Sequence, residues 1–448
     1  MQTQIAEFLD GEDELRERVQ LAVREAQRLG ATQAEASATL GSGLEINVRL
    51  GEVETLERSR DRGLGITVYF GKRKGSASTA NLDADAIHEA VAAACAIAQF
   101  TAEDPAAGLA DAELMATEFP ELDLWHPWQF ELEEAIAIAQ RCEAAARDYD
   151  ARITNSDGAS FSSHAGLRVY GNSHGFIGSN RGTSHGISCT VLASDDGGMQ
   201  RDYWYSSARD PQAVEAPEAI GRRAAERTLR RLGAKRLSTM RVPVLFAPET
   251  AKGLVGHFLG AIRGTAQYRG ASFLHECAGR QVFPDFVRIL EEPHLRKGPG
   301  SAPFDEEGVA TRNRDLVTAG VVQGYILGSY SARRLGLQST GNAGGVRNVL
   351  LEPGGDDFNG MLKRLHRGLL VTELMGQGVN AVTGDYSRGA AGFWVENGAI
   401  VHPVEEITIA GNLRDMFRRI VAVGNDVDTR GNIRSGSILI EEMTVAGE

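Results

Sequence analysis

Short apolar runs separated by glycine fill the C-terminal part of the chain, and this pattern constrains the fold more than any other feature. The sequence contains 52 glycines among 448 residues. Many short strands joined by tight turns are typical of a β-barrel or β-sandwich. An apolar strand at residues 241–246 opens this part, and hairpins are expected at residues 315–327 and 392–401. We therefore predict a strand-rich, barrel-like domain over residues 237–448.

The first part of the chain has a different pattern. Apolar residues at helical spacing over residues 13–29 predict an amphipathic helix that ends at Gly30. Four strand-like runs follow, over residues 43–50, 53–58, 63–70 and 75–79. A second helix is expected over residues 84–100. Residues 1–104 are thus predicted to form a helix–sheet–helix α+β domain.

A connector and a second α+β segment follow. Residues 101–128 contain Pro105, Pro120 and Pro127 and are interpreted as the connector. A helix is expected over residues 129–148, then five short strands between residues 153 and 207, then a helix over residues 213–232. This predicts a middle α+β segment over residues 105–236. Pro248 marks the start of a further helix over residues 249–263, so the fold class of the whole chain is α+β.

Charge and hydropathy exclude several classes of protein. The net charge is -13, which disfavours direct binding to nucleic acid because an acidic surface repels phosphates. No apolar run approaches the roughly 20 residues that a membrane helix needs. Residues 1–15 contain acidic residues and no apolar core, which does not fit a secretory signal. We therefore expect a cytoplasmic protein that does not contact membranes.

The cysteines indicate neither disulfides nor a zinc ribbon. Cys95, Cys142, Cys189 and Cys277 are widely spaced and include no CxxC pair. Such cysteines are expected to be buried or free thiols in a reducing compartment. Cys277 lies two residues from His275, but a structural role is favoured over a catalytic pair.

Histidine spacing argues against a helical zinc site. None of the ten histidines lies within nine residues of another, so HExxH and HExxxH are both absent. His164, His174 and His185 could cluster across neighbouring strands and hold a metal, although surface or hydrogen-bonded histidines are the favoured reading. Ser160 and Ser162 lack a GxSxG nucleophile elbow. The glycines of residues 341–345 lack the Lys-Ser/Thr of a phosphate-binding loop and are interpreted as turns.

Several long blocks of sequence resemble one known family. They comprise residues 60–71, 74–79, 95–98, 101–105, 268–274, 374–390, 424–426 and 436–437. These blocks, above all the run from Leu374 to Ala390, resemble the PmbA/TldD family of cytoplasmic peptidase-complex proteins. The resemblance covers nearly the whole chain.

The resemblance implies a subunit that carries no zinc of its own. TldD-type members have HExxxH on a helix and a cysteine in the C-terminal domain, which bind zinc together. In this chain the corresponding helix, residues 249–263, has His257 alone, and no cysteine follows Cys277. The chain therefore resembles the PmbA (TldE) type, with no cofactor of its own and with zinc expected in a TldD-type partner.

The resemblance also implies partners and a substrate class. It predicts a heterodimer with a TldD-type paralogue, and a homodimer when the chain is alone. The substrates implied are unfolded peptides, including leader peptides of modified peptide antibiotics and a labile antitoxin. Two alternatives stay open: a metallopeptidase in its own right, and a gyrase-associated regulatory binding protein.

A glycine-rich block over residues 376–389 is our candidate for a wall of the cleavage chamber. Glycine permits close backbone approach. The block also carries four polar side chains as candidate substrate contacts: Asn380, Asp385, Tyr386 and Arg388. The alternative is that these residues only form turns and hold the β domain together.

Overall fold

One six-stranded antiparallel sheet spans the first half of the chain in the computed structural model, which describes residues 11–447. Its order is β3-β2-β1-β4-β5-β6. The strands are β1 Gln33–Arg49, β2 Glu52–Phe70, β3 Arg73–Thr79, β4 Ile153–Asn172, β5 Ile177–Asp195 and β6 Gly198–Ala208. Because β1 pairs with β4 along most of its length, the sheet is continuous between the first and middle segments. The division at residues 104 and 105 stays a prediction.

All of the long helices of this half pack on one face of the sheet. They are α1 Glu12–Arg28, α2 Ala84–Phe100, α3 Leu132–Arg147 and α4 Pro217–Leu229. Alternate residues of β1 are buried beneath them, Ala34 and Ala36 under α1 and α2, and Ile46 and Val48 under α3 and α4. At Gly75 a Cβ would lie 2.1 Å from the Ala94 carbonyl oxygen, so β3 accepts α2 only because this residue is glycine.

The predicted helices of this half are confirmed, and the predicted strands need correction. The helix over residues 84–100 has the expected bounds, and residues 101–128 form the expected connector. The first segment has three strands where four short ones were predicted. The middle segment has three long strands where five short ones were predicted. Glycines such as Gly63 and Gly166 lie within regular ladders, so the strands continue through them.

The C-terminal part contains a closed barrel and a smaller sheet. Its elements in chain order are β7 Met240–Phe246, α5 Pro248–Ala261, α6 Gly264–Tyr268, β8 Ile289–Glu291, β9 Arg314–Thr318, β10 Val321–Val322, α7 Ser329–Leu335, β11 Val349–Leu351, α8 Phe358–Leu365, β12 Gly368–Met375, β13 Asp385–Glu396, β14 Ala399–Asn412, α9 Leu413–Arg418, β15 Ile420–Val423, β16 Ile433–Arg434 and β17 Ile438–Ala446. Strands pair in the order β14-β13-β12-β7-β17, and β17 returns to β14 and closes the barrel. The prediction of a barrel-like domain is confirmed, and so is the α+β class.

Helix α5 lies between the barrel and the small sheet. Its apolar residues Leu254 and Phe258 share one core with Val371 of β12 and Ile289 of β8. Pro248 occupies the first turn, as expected for a residue without an N–H. The opposite face of the barrel strands packs on α8. These contacts fix the orientation of α5 relative to the barrel.

No helix within residues 11–447 is long and apolar enough to cross a membrane. The prediction that residues 1–15 are not a secretory signal concerns mainly residues 1–10, which lie outside the described part of the chain.

Candidate functional site

The loop that precedes β13 is folded by its own polar side chains. The Asn380 Oδ1 accepts hydrogen bonds from the backbone N–H groups of Val382 at 2.9 Å and Thr383 at 3.2 Å. Asp385 accepts a hydrogen bond from the Thr383 hydroxyl at 2.6 Å and one from the Asn412 amide at 3.2 Å. These two hydrogen bonds lower the pKa of Asp385. Asn380 and Asp385 therefore hold the loop in shape while remaining exposed to solvent.

The backbones of this loop and of β13 approach each other closely at Gly378. The Ser387 N–H donates to the Gly378 carbonyl at 2.7 Å. A Cβ at Gly378 would lie 1.9 Å from the Ser387 carbonyl oxygen, so only glycine fits there. The close approach predicted for the glycine-rich block thus occurs within the chain itself.

Tyr386 and Arg388 lie against α5. The Tyr386 side chain is 2% exposed, and its hydroxyl is buried without a hydrogen-bond partner among the described residues. The ring of His257 meets the Tyr386 ring edge to face, with centroids 6.0 Å apart. The Arg388 Nε donates to the Met375 carbonyl at 3.1 Å. The structure therefore brings two of the four predicted residues together with the lone histidine of α5.

The electrostatics of this cluster keep both rings neutral. Burial raises the pKa of Tyr386 to about 12, although the charge of Arg388 opposes the shift. Burial lowers the pKa of His257, and the positive charge of Arg388 lowers it further. At neutral pH the site consists of a neutral imidazole, a neutral phenol and one guanidinium.

This cluster does not fit a zinc ion. A catalytic zinc site needs three protein ligands, and within residues 11–447 no three His, Cys, Asp or Glu side chains come close enough to hold a metal together. His257 packs against the ring of Tyr386, and the positive charge of Arg388, which lowers the pKa of His257, also repels a dication. We derive no zinc-dependent step from these residues.

The other catalytic candidates do not assemble. Cys277 is buried, and burial raises the pKa of its thiol to about 11, which suppresses the reactive thiolate. His275 is exposed and its nearest charged partner is Glu276 at 3.9 Å. All four cysteines are buried and free, as expected.

The three histidines of the middle segment do not converge on a metal. In the β4–β5 ladder Ser163 lies opposite His185 and His164 opposite Ser184, so the two histidines point to opposite faces of the sheet. His185 is buried and hydrogen-bonded to the Ser163 hydroxyl at 3.0 Å and the His126 carbonyl at 2.8 Å. His174 lies in the turn between the strands. These positions agree with the prediction that the three histidines are hydrogen-bonded or at the surface and do not bind a metal together.

The sequence reasoning missed a cavity of about 550 Å³ between β6, α4, the start of α5 and the barrel. It is lined by Trp204, by Arg223 and Arg227 of α4, and by Arg230 at the C-cap of this helix. A signal for it was present in the sequence. These arginines recur at i, i+4 and i+7, which places them on one face of a helix.

Three sequence models of PmbA/TldA metallopeptidase domains match the chain. Domain 1 matches residues 34–98, the central domain residues 125–232, and the C-terminal domain residues 239–447. The chain is 52% identical to the metalloprotease PmbA of Escherichia coli O157:H7, over 93% of this chain and 92% of that protein. It is 46% identical to a metalloprotease PmbA homologue of Haemophilus influenzae, over 97% of both chains.

Solved structures share the fold over nearly the full length. A Bacteroides thetaiotaomicron protein, whose name refers to modulation of DNA gyrase, superposes with a TM-score of 0.92 at 27% identity, covering 98% of this chain and 100% of that one. TldE from Thermococcus kodakarensis superposes with a TM-score of 0.85 over 96% of this chain and 100% of its own. At 19% identity, that second likeness shows the fold alone.

Proposed function

The chain belongs to the PmbA/TldD metallopeptidase family, and we propose that it acts there as a TldE-type subunit, which pairs with a zinc-bearing TldD-type paralogue. In this proposal the chain supplies no zinc and no nucleophile. It helps to enclose and position peptides that the partner cleaves.

The proposal rests on the residues that surround His257. Zinc hydrolysis needs a metal to act as Lewis acid and a base to activate water. His257 instead contacts the ring of Tyr386 and lies near a guanidinium. This arrangement supports a chain that has the architecture of the family without its metal chemistry.

Arg388 is the side chain best placed for a positioning role. Its Nε is held by the Met375 carbonyl, which fixes the guanidinium while the side chain stays partly exposed. A fixed guanidinium can donate hydrogen bonds to the carbonyl groups of an extended peptide. Met375 ends β12 and lies opposite Gly389 of β13, and Asn380 and Asp385 shape the loop that connects these two strands.

The open edge of β2 is our candidate surface for the partner. Residues 64–70 of β2 pair with β3, whereas residues 52–58 form ladder pairs with β1 alone within the described part of the chain. An unpaired edge strand is a template for pairing with another chain. Val53 and Leu56 on this edge are 41% and 44% exposed, and apolar surface of this kind favours a protein partner over solvent.

The proposed substrates are unfolded peptides, including leader peptides and a labile antitoxin. We place the complex in the cytoplasm, and four buried free thiols support a reducing compartment. We expect the chain to form a homodimer when alone and to exchange into a heterodimer with the paralogue.

The test is a peptidase assay on three samples: this chain alone, a TldD-type chain alone, and the two mixed. The proposal predicts cleavage of an unfolded peptide by the mixture and none by this chain alone. Cleavage by this chain alone, abolished by a chelator, would instead establish the second candidate, a metallopeptidase in its own right. The names of the curated relatives favour that candidate. Binding to gyrase without any effect on peptide cleavage would favour a regulatory role.

A further inference from the structure

The cavity between the middle segment and the barrel contains a platform of stacked cations. The indole of Trp204 has the guanidinium of Arg430 at 3.9 Å from its ring centroid and that of Arg223 at 4.2 Å. Contacts of this kind hold a guanidinium in place through its flat face. The N–H groups around the edge of a stacked guanidinium remain able to bind an acceptor.

Two of the lining cations already have carboxylate partners. Arg227 pairs with Glu249 at 2.7 Å, and Arg430 pairs with Asp428 at 2.9 Å. The Arg227–Glu249 pair connects the middle segment to the start of α5, whereas the Arg430–Asp428 pair lies within one loop of the C-terminal part. Because these carboxylates offset the charges of Arg227 and Arg430, the two arginines offer little positive charge to a ligand.

Arg223 and Arg230 differ from these two. Within residues 11–447 their side chains contact aromatic rings, Arg223 on Trp204 and Arg230 on Phe393 at 5.0 Å, and neither has a carboxylate partner. Arg223 lies in α4 and Arg230 at its C-cap, and their separation of seven residues, about two helical turns, places them on the same side of the helix. The cavity therefore presents two guanidinium groups whose hydrogen-bond donors are not used by the protein.

The same cavity has one unused acceptor and an apolar wall. Asp426 accepts hydrogen bonds from Ser437 through Oδ1, but its Oδ2 is buried and has no donor among the described residues. A buried carboxylate oxygen without a donor is costly. Phe358, Leu370 and Phe393 form the apolar part of the lining.

We propose that this cavity binds the C-terminal residue of a peptide. The carboxylate pairs with Arg223 and Arg230, a backbone N–H donates to Asp426, and an apolar side chain packs on Phe358, Leu370 and Phe393. A volume of about 550 Å³ is within the usual range for ligand sites, roughly 300–1,000 Å³. The choice of a peptide as ligand rests on the proposed peptidase function.

A singly charged carboxylate fits this cavity better than a phosphate. Asp426 and Asp428 line the same space and repel a doubly charged group more strongly. A bare phosphate also leaves the apolar wall exposed to water, whereas a terminal apolar residue covers it.

The test is isothermal titration calorimetry on the isolated full chain with two synthetic peptides. One is acetyl-Gly-Ser-Ala-Leu-Phe with a free C-terminal carboxylate, and the other is the same peptide with a C-terminal amide. We expect the free acid to bind at least about tenfold more tightly, because charge-assisted hydrogen bonds to two arginines are lost in the amide. The double substitution R223A/R230A is expected to remove this difference.

The matched control is Arg222→Ala, which removes an arginine of the same helix that does not line the cavity and is expected to leave binding unchanged. The proposal is overturned if the amide binds as tightly as the acid, if the acid binds R223A/R230A as well as it binds the wild type, or if neither peptide binds at millimolar concentration. Because no partner and no cleavage are involved, the result is independent of whether the reconstituted complex has peptidase activity.

Discussion

The ring of His257 stands edge-on to the ring of Tyr386, with the centroids 6.0 Å apart and the planes at 81°. An imidazole in this position is packed as an aromatic group and is not arranged as one of several metal ligands. The contact joins His257, the one histidine of α5, to Tyr386 in the glycine-rich block of residues 376–389. The proposed supporting role in peptide cleavage rests on this contact.

Replacing Tyr386 by Phe tests whether its hydroxyl has a structural function. The hydroxyl is buried without a partner, so its removal relieves a desolvation cost. We expect the free energy of unfolding, measured with urea, to stay constant or rise by up to about 1 kcal/mol. Tyr386→Ala is the contrast, because loss of the buried ring should cost roughly 3–5 kcal/mol. A loss of more than about 1 kcal/mol in Tyr386→Phe would reveal a hydrogen bond that we have not assigned.

Arg388→Ala tests the positioning role of the chamber wall. We expect cleavage by the mixed complex to fall by about tenfold or more, because the guanidinium fixed at Met375 is removed. Pairing with the partner, measured by light scattering, should be unchanged. Arg418→Ala, another exposed arginine of the same domain, is the matched control. Full activity of the Arg388 variant would remove this residue from the chamber.

The buried carboxyl of Asp305 should make stability depend on pH. Burial, followed by the negative charge of Glu307, raises its pKa from 3.8 to about 7. The folded state therefore holds a proton that the unfolded state releases. The stabilisation is complete below pH 4 and is lost as pH rises through 7.

Asp305→Asn removes this titration. The wild type should lose about 2 kcal/mol of unfolding free energy between pH 5 and pH 8 that the variant does not lose. The stability difference between the two proteins, measured with urea at each pH, should therefore shrink as pH rises. A difference that is constant or grows with pH would contradict the assignment.

The open edge of β2 should be required for pairing. The double substitution V53K/L56K places two charges on an exposed apolar edge, and charged side chains block edge-to-edge pairing. We expect affinity for the TldD-type partner to fall at least about tenfold, with thermal stability of the isolated chain unchanged. Phe100→Lys, at a residue 91% exposed and distant from this edge, is the control. Equal weakening in both variants would count against the edge as the pairing surface.

Local sequence patterns predicted the helices well and the strands less well. α2 has the predicted bounds because its apolar spacing and its flanking residues agree. β1 begins ten residues before the predicted strand, because Ala34, Ala36 and Ala38 are too small to give a strong alternating signal yet are fully buried. The small side chains of these alanines let α1 and α2 pack close to the strand.

The candidate sites depended on contacts that local patterns do not encode. The block around Tyr386 was predicted to be a chamber wall, and its contact with His257 joins residues that are far apart in the chain. The cavity at Trp204 is lined by residues of both the six-stranded sheet and the barrel, so no local pattern predicts it. Only the arginine spacing on α4 was visible beforehand.

The zinc content of the purified heterodimer tests the central claim most directly. Elemental analysis of a one-to-one complex with a TldD-type partner should give one zinc per pair of chains, because His257 lacks companion ligands among the described residues. The isolated chain should contain no stoichiometric zinc. Two zinc ions per complex, or one tightly held zinc in the isolated chain, would contradict the account.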